Sequence, residues 1–238
     1  MIQLNIDQWS AWAPGLHTAA DWQQWDRETL LPRALQQPDI AFLPAMQRRR
    51  LSPLARMAFA VAWPLAEGRA SMPLIFVSRH GETPRSLDLL RELAADQPLS
   101  PTQFSLSVHN AVIGLWSILR QDSSEMSAIA GERDGLEHGV LEAAALLAEG
   151  APEVLLIIAE ESPPELYSPW IDDVPFSHAV ALRLAPGDQW QLRLEDNGTS
   201  LANPRWPNAL SLVRGLLDHS SVIQHPWKKR LWTWQRNH

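Results

Sequence analysis

Glu153-Val-Leu-Leu-Ile-Ile-Ala159 holds six consecutive apolar residues after its glutamate, and its reading decides the fold. An antiparallel strand with one wet face alternates polar and apolar residues, whereas an unbroken apolar run of this length is expected of a strand covered on both faces. Just before it, Gly135 to Glu149 carries Leu136, Val140, Ala143, Ala144 and Leu147 on one side, which predicts a helix with Gly150 as its stop. Further back, Pro73-Leu-Ile-Phe-Val77 repeats the buried-strand pattern. It follows an amphipathic helix over Leu51 to Leu65, with Ser52 as N-cap and Pro53 at the first helical position. Helices over Pro84 to Ala94 (Leu87, Leu90 and Leu93 along it) and Asn110 to Leu119, and a short strand over Met126 to Ala130, fill the interval. Strands alternating with helices predict an α/β fold, a layered sheet with covering helices.

The ends are less regular. Ile2, Leu4 and Ile6 alternate with polar residues as in a half-buried strand, which Pro14-Gly15 ends. Trp9, Trp12, Trp22 and Trp25 are expected to pack a loop-rich N-terminal segment onto the body. Four prolines between Glu160 and Ser177 predict a long loop. His178 to Leu184 and Gln189 to Leu194 flank Pro186-Gly187-Asp188 as a hairpin would. A helix over Asn208 to Leu217 and a tryptophan-rich strand over Leu231 to Trp234 follow. The expectation is one domain over residues 1–238.

Composition removes several function classes. The 238 residues include 20 basic and 27 acidic side chains, a formal charge of -7, and Arg48 to Arg50 and Lys228 to Arg230 are the basic clusters. A broadly cationic nucleic-acid binder is disfavoured. The chain has no cysteine, which excludes a disulfide framework, a thiolate metal site and a cysteine nucleophile within it. No cofactor is expected. The longest apolar run, Met57 to Ala66, falls short of the roughly 18 residues of a membrane span, and MIQLNIDQW lacks the pattern of a secretion signal, so a cytoplasmic protein is the expectation.

Phe76-Val-Ser-Arg-His-Gly-Glu-Thr83 is similar to the Arg-His-Gly-Glu signature of histidine phosphatases. That resemblance implies phosphoryl transfer through His80, with Arg79 holding the phosphate. The motif comes after some seventy residues that already contain a strand and a helix, and no second histidine follows a late apolar strand. The polar end of a buried strand, bonded to nearby backbone, accounts for it better.

A wider resemblance covers residues 1 to 185. Trp9-Ser-Ala-Trp-Ala-Pro-Gly15, Arg48-Arg-Arg-Leu-Ser52, Ser78-Arg-His-Gly-Glu82, the stretch from Ser100 through Ser107-Val-His-Asn-Ala111, Gly135 to Ala144 and Ala151-Pro-Glu-Val-Leu-Leu156 stand in one order. This set resembles the N-terminal half of β-ketoacyl synthases, and most of all the short chain-length-factor-like proteins of aryl polyene clusters. The resemblance implies a thiolase-like fold in which a strand at a dimer interface runs through a sharp turn into a buried helix. In working synthases the cysteine sits at that helix start, where the helix dipole favours a thiolate.

The matching stretch is Met126-Ser-Ala-Ile-Ala-Gly-Glu-Arg-Asp-Gly-Leu136, and the cysteine slot falls on Glu132, or on Arg133 with a turn one residue shorter. Neither can form a thioester, and Glu132 suits the first turn of a helix as a charge. The two synthase histidines belong to a C-terminal half that the resemblance does not reach, and His219, His225 and His238 lack the family surroundings. His109, a lone imidazole near where synthases place subunit contacts, is expected to serve structure or interface.

The implied role is a catalytically inactive chain-length factor. It would pair with an active β-ketoacyl synthase through His109, Asn110 and the strand Met126, Ser127, Ala128, Ile129, Ala130, and meet an acyl carrier protein only indirectly. Ile113, Leu115 and Trp116 are candidates for lining the acyl tunnel, where burial holds a chain by about 0.8 kcal/mol per methylene. Loss of the second half would leave apolar surface to be covered.

Overall fold

The computed structural model describes residues 1–25, 36–196 and 206–237. In chain order the elements are β1 (Ile2–Trp12), α1 (Ala19–Gln24), α2 (Ala45–Arg48), α3 (Pro53–Ala66), β2 (Leu74–Val77), α4 (Thr83–Ala94), α5 (Pro101–Ser105) and α6 (Ala111–Arg120). Then come β3 (Met126–Ile129), α7 (Gly135–Ala148), β4 (Val154–Glu160), β5 (His178–Asp196), α8 (Asn208–Leu217), β6 (Val222–Trp227) and β7 (Arg230–Arg236).

Both unbroken apolar runs are central strands. β2 pairs in parallel with β3 on one side and β4 on the other, and β4 runs antiparallel to β5. Alternate side chains then serve two cores. Ile75, Val77, Leu156 and Ile158 face α7 and α8, while Leu74, Phe76, Leu155 and Ile157 face α3 and α6. A strand between two helical layers has no face to give to water, which is why these segments carry no polar alternation. The helix over 53–66 starts as expected, with Ser52 Oγ accepting from Ala55 N–H at 3.0 Å and Pro53 at its first position. Gly150, at φ +107°, follows the end of α7.

Four expectations are corrected. No hairpin forms at Pro186-Gly187-Asp188, because β5 runs unbroken for 19 residues. β1 pairs with it on both sides of the expected turn, Trp12 to Asn5 against 179–185 and Leu4 to Ile2 against 190–192. The residues between form a bulge filled by Asn5, whose Oδ1 accepts from Gln189 N–H at 3.0 Å. A third strand thus keeps the two halves in line, a constraint invisible to local turn chemistry.

Second, one strand was expected after α8 and two are found, β6 and β7 forming an antiparallel hairpin added to the far half of β5. Third, the helix over 83–94 buries Leu87 and Leu89, whereas Leu90 and Leu93 face solvent. Fourth, the N-terminal segment is an 11-residue strand and a short helix rather than mostly loop. Trp12, Trp22 and Trp25 are buried there as packing residues. Between β4 and β5 the proline-rich connection is irregular apart from a 3₁₀ turn, Glu165–Tyr167.

Candidate functional site

Parallel pairing in register brings Val77, Ile129 and Ile158 side by side, so the carboxyl ends of β2, β3 and β4 open onto one place. Such strand ends are where open α/β sheets gather their chemistry. From β3 the chain turns through Gly131 to Asp134 into α7. A Cβ on Gly131 would stand 2.5 Å from the Gly135 Cα, and one on Gly135 would stand 2.9 Å from Val77 Cγ1. The turn is closed tightly enough that only glycine fits at both ends, and it sets the helix start against β2.

The turn and the first helical residues carry three carboxylates, and the terminal hairpin supplies each with an indole donor. Trp227 Nε1–H donates to Glu132 at 2.9 Å, Trp232 Nε1–H to Asp134 at 3.1 Å and Trp234 Nε1–H to Glu137 at 3.2 Å. Basic and polar groups complete the sets. Lys228 Nζ bonds both oxygens of Glu132 at 2.8 Å, Arg230 pairs with Asp134 at 3.1 Å, and Glu137 receives Asn208 Nδ2 at 2.9 Å and has His225 Nδ1 at 2.6 Å. Bonds from Lys228 and then Trp227 hold the Glu132 carboxyl below its ordinary value.

Glu132 therefore does not act as first-turn charge. It precedes the helix, which begins at Gly135, and its carboxylate turns to the hairpin because two donors there outweigh an interaction with the helix end. Arg133, the alternative position, donates from Nη2 to the Asp172 carbonyl at 3.2 Å.

Behind the turn, Glu160 ends β4 almost without solvent contact. Its carboxylate accepts from the Arg79 backbone N–H, from the His80 N–H at 3.3 Å and from Ser78 Oγ at 3.1 Å. Asp173 grips the two side chains of the phosphatase-like tetrapeptide, Arg79 Nη1 at 2.7 Å and His80 Nε2 at 3.0 Å. Asp173 thereby engages both groups that phosphoryl transfer would use. Burial pulls the Asp173 carboxyl upward, but bonds and charge from His80 and Arg79 prevail and hold it well below the usual carboxylate range.

Burial pushes the Glu160 carboxyl up to about 7 against its three donors. The folded protein then keeps a proton that the unfolded chain releases near pH 4.5, so this group's contribution to stability falls as pH rises from about 4.5 to 7 and is level above that. Asp173, shifted the other way, acts only below about pH 4. Urea unfolding of the wild type and of Glu160→Gln is expected to give stabilities whose difference changes by about 2–3 kcal/mol between pH 5 and 8, the wild type losing more. A constant difference would place the Glu160 proton elsewhere.

The other sequence candidates fall in two places. His109 Nε2 lies 2.7 Å from the Ser78 carbonyl oxygen, tying the start of α6 to the end of β2, and Asn110 is the exposed N-cap position of α6 without a side-chain cap bond. Met126 to Ile129 form β3, whose outer edge is unpaired among the described residues; Ala130 lies just beyond it. Ile113 and Leu115 are half-buried on α6, and Trp116 is inside the core between α3 and α6.

Of the late histidines, His219 sits in the turn after α8, His225 on β6 binds Glu137, and His238 lies outside the described residues. Arg48 ends α2, with Arg49 and Arg50 exposed after it. The hairpin donors are not legible in the sequence. Trp232 and Trp234 stand two apart on a strand and so share a face, but their spacing does not say what that face meets.

The layered sheet, the glycine turn and the helix behind it define a thiolase-like α/β protein. The family model for the β-ketoacyl synthase N-terminal domain matches residues 22–235, and the chain belongs to that family. Among solved structures, a chain of the complex of the ketosynthase ApeO with its chain length factor ApeC from Xenorhabdus doucetiae is 28% identical. It superposes with a TM-score of 0.90 over 99% of this chain and 100% of that one. The ishigamide ketosynthase/chain length factor (12% identity, TM-score 0.68, 100% and 99% covered) and a β-ketoacyl synthase from Burkholderia phymatum STM815 (11%, 0.59, 93% and 71%) share the fold. No match was found among curated proteins. No helix among the described residues is long and apolar enough to cross a membrane.

Proposed function

We infer that this chain is a non-catalytic, chain-length-factor-like subunit that pairs with an active β-ketoacyl synthase and forms part of the wall of its acyl tunnel, in biosynthesis of the aryl polyene or a related polyketide type. One observation carries the reading. At the start of α7, where a synthase of this family would present a thiolate, stands a turn bearing Glu132 and Arg133, and the terminal hairpin clamps its carboxylates with indoles and cations. A carboxylate committed to Trp227 and Lys228 does not serve as an acyl acceptor, and the chain contains no thiol.

The likeness over essentially the whole length to a chain of a ketosynthase–chain length factor complex supports a partnership of the same kind. The unpaired edge of β3 is the contact strand in this reading, with His109, Asn110 and Ala130 around it, since an open edge is a ready template for a strand of another chain. Ile113 and Leu115 on α6 are the tunnel-facing candidates. Their work is steric, retaining an acyl chain by burying its methylenes and stopping it where the wall closes.

Co-expression with the cysteine-bearing ketosynthase of the source genome is expected to give one heterodimeric peak in size exclusion, with an interface above about 1,000 Å². Separate elution at micromolar concentration would count against the subunit role, as would acyl groups recovered on this chain.

A further inference from the structure

Of the twelve tryptophans, all of them described, only Trp170 faces solvent, at 75% exposure, with Leu166, four residues before it, at 54%. An indole left in water is a large apolar area to keep exposed, and tryptophan is the residue that most often anchors a protein interface. The segment presenting it is braced. Pro163, Pro164, Pro169 and Pro175 restrict its backbone, Tyr167 N–H donates to Pro164 O at 2.9 Å, and Trp170 N–H donates to Tyr167 O at 3.0 Å. On the far side Arg133 holds the Asp172 carbonyl, and Arg79 and His80 hold Asp173. An anchor fixed in advance loses little conformational entropy on docking.

The brace also places the anchor. Arg133 stands three residues beyond Ala130, so its grip on Asp172 ties this loop to the turn that follows β3.

Building on the subunit role above, we propose that Trp170, with Leu166, is the anchor by which this chain docks the ketosynthase, its indole entering an apolar pocket on that subunit. The β3 edge sets the alignment of the two chains; Trp170 supplies a large share of the affinity.

The probe is the ketosynthase of the source genome used for co-expression, titrated against wild type, Trp170→Ala, Trp170→Phe and the control Val222→Ala. Val222 is exposed on β6, at the opposite end of the sheet from β3. Trp170→Ala is expected to keep the wild-type urea midpoint and circular dichroism while its Kd rises about ten-fold or more through faster dissociation, with Trp170→Phe between and Val222→Ala unchanged. A Kd for Trp170→Ala within two-fold of wild type would overturn the anchor and leave the subunit role standing. Loss of a self-associated dimer of this chain, with ketosynthase binding intact, would give the face to a second copy and overturn it too. If wild type does not bind the ketosynthase at all, the subunit role fails and the anchor with it.

Discussion

Replacing Glu137 by alanine is expected to cost about 3–5 kcal/mol in urea unfolding at pH 7. Its side chain is 0% exposed, and its partners come from three separate elements: Asn208 at the start of α8, His225 on β6 and Trp234 on β7. Alanine would leave an amide, an imidazole and an indole N–H buried together without their acceptor, and each such orphan carries a desolvation cost. Glu137→Gln, which keeps the shape and one acceptor oxygen, should lose less. Burial pushes the Glu137 carboxyl upward, but the nearby His225 and the three bonds outweigh it and hold the group below its ordinary value. Its stabilisation is therefore present above about pH 4.5 and is lost as pH falls through the lowered value, so the alanine and wild-type curves should converge in acid. A loss under 1 kcal/mol would mean that the terminal hairpin is held to α7 by packing alone.

Trp116→Ala is expected to cost a similar 3–5 kcal/mol. The indole is 2% exposed, meets Phe59 and Trp63 edge-on at 5.3 and 5.6 Å, and has the Arg120 guanidinium 5.2 Å from its ring centre. Removing it opens a cavity between α3 and α6 that β2 and β4 cannot close, because both are pinned in the sheet. The same variant separates two roles for α6. A tunnel-lining residue would yield longer products at little cost in stability, whereas a core residue yields an unstable subunit. Instability is expected for Trp116, and a change in product length with a milder stability loss for Ile113 and Leu115. Urea midpoints together with product chain lengths from the reconstituted pair read both.

The central fold was legible because its signals are local. The apolar runs at 74–77 and 154–159, the Ser52-Pro53 cap and the Gly150 stop each state their structure within a few residues. The ordered motifs from Trp9 to Leu156 carried the family, and the empty cysteine count carried the loss of its nucleophile. Leu90 and Leu93 misled because a helix of mixed composition offers more than one apolar stripe, and only its neighbours in the fold, α5 foremost, decide which stripe is buried.

The amino-acid sequence by itself determined that two buried strands and their helices would form an α/β core, and that no thiolate could stand at the start of the helix over 135–148. Only the tertiary structure decided what stands there instead. Trp227, Trp232 and Trp234 reach Glu132, Asp134 and Glu137 across some ninety-five residues of chain, through a strand that continues past Pro186-Gly187-Asp188 because β1 spans both halves. Hydrogen bonds between residues so distant follow from the registers of β1, β5 and β7 together, and a register is a property of several strands at once, not of any one segment.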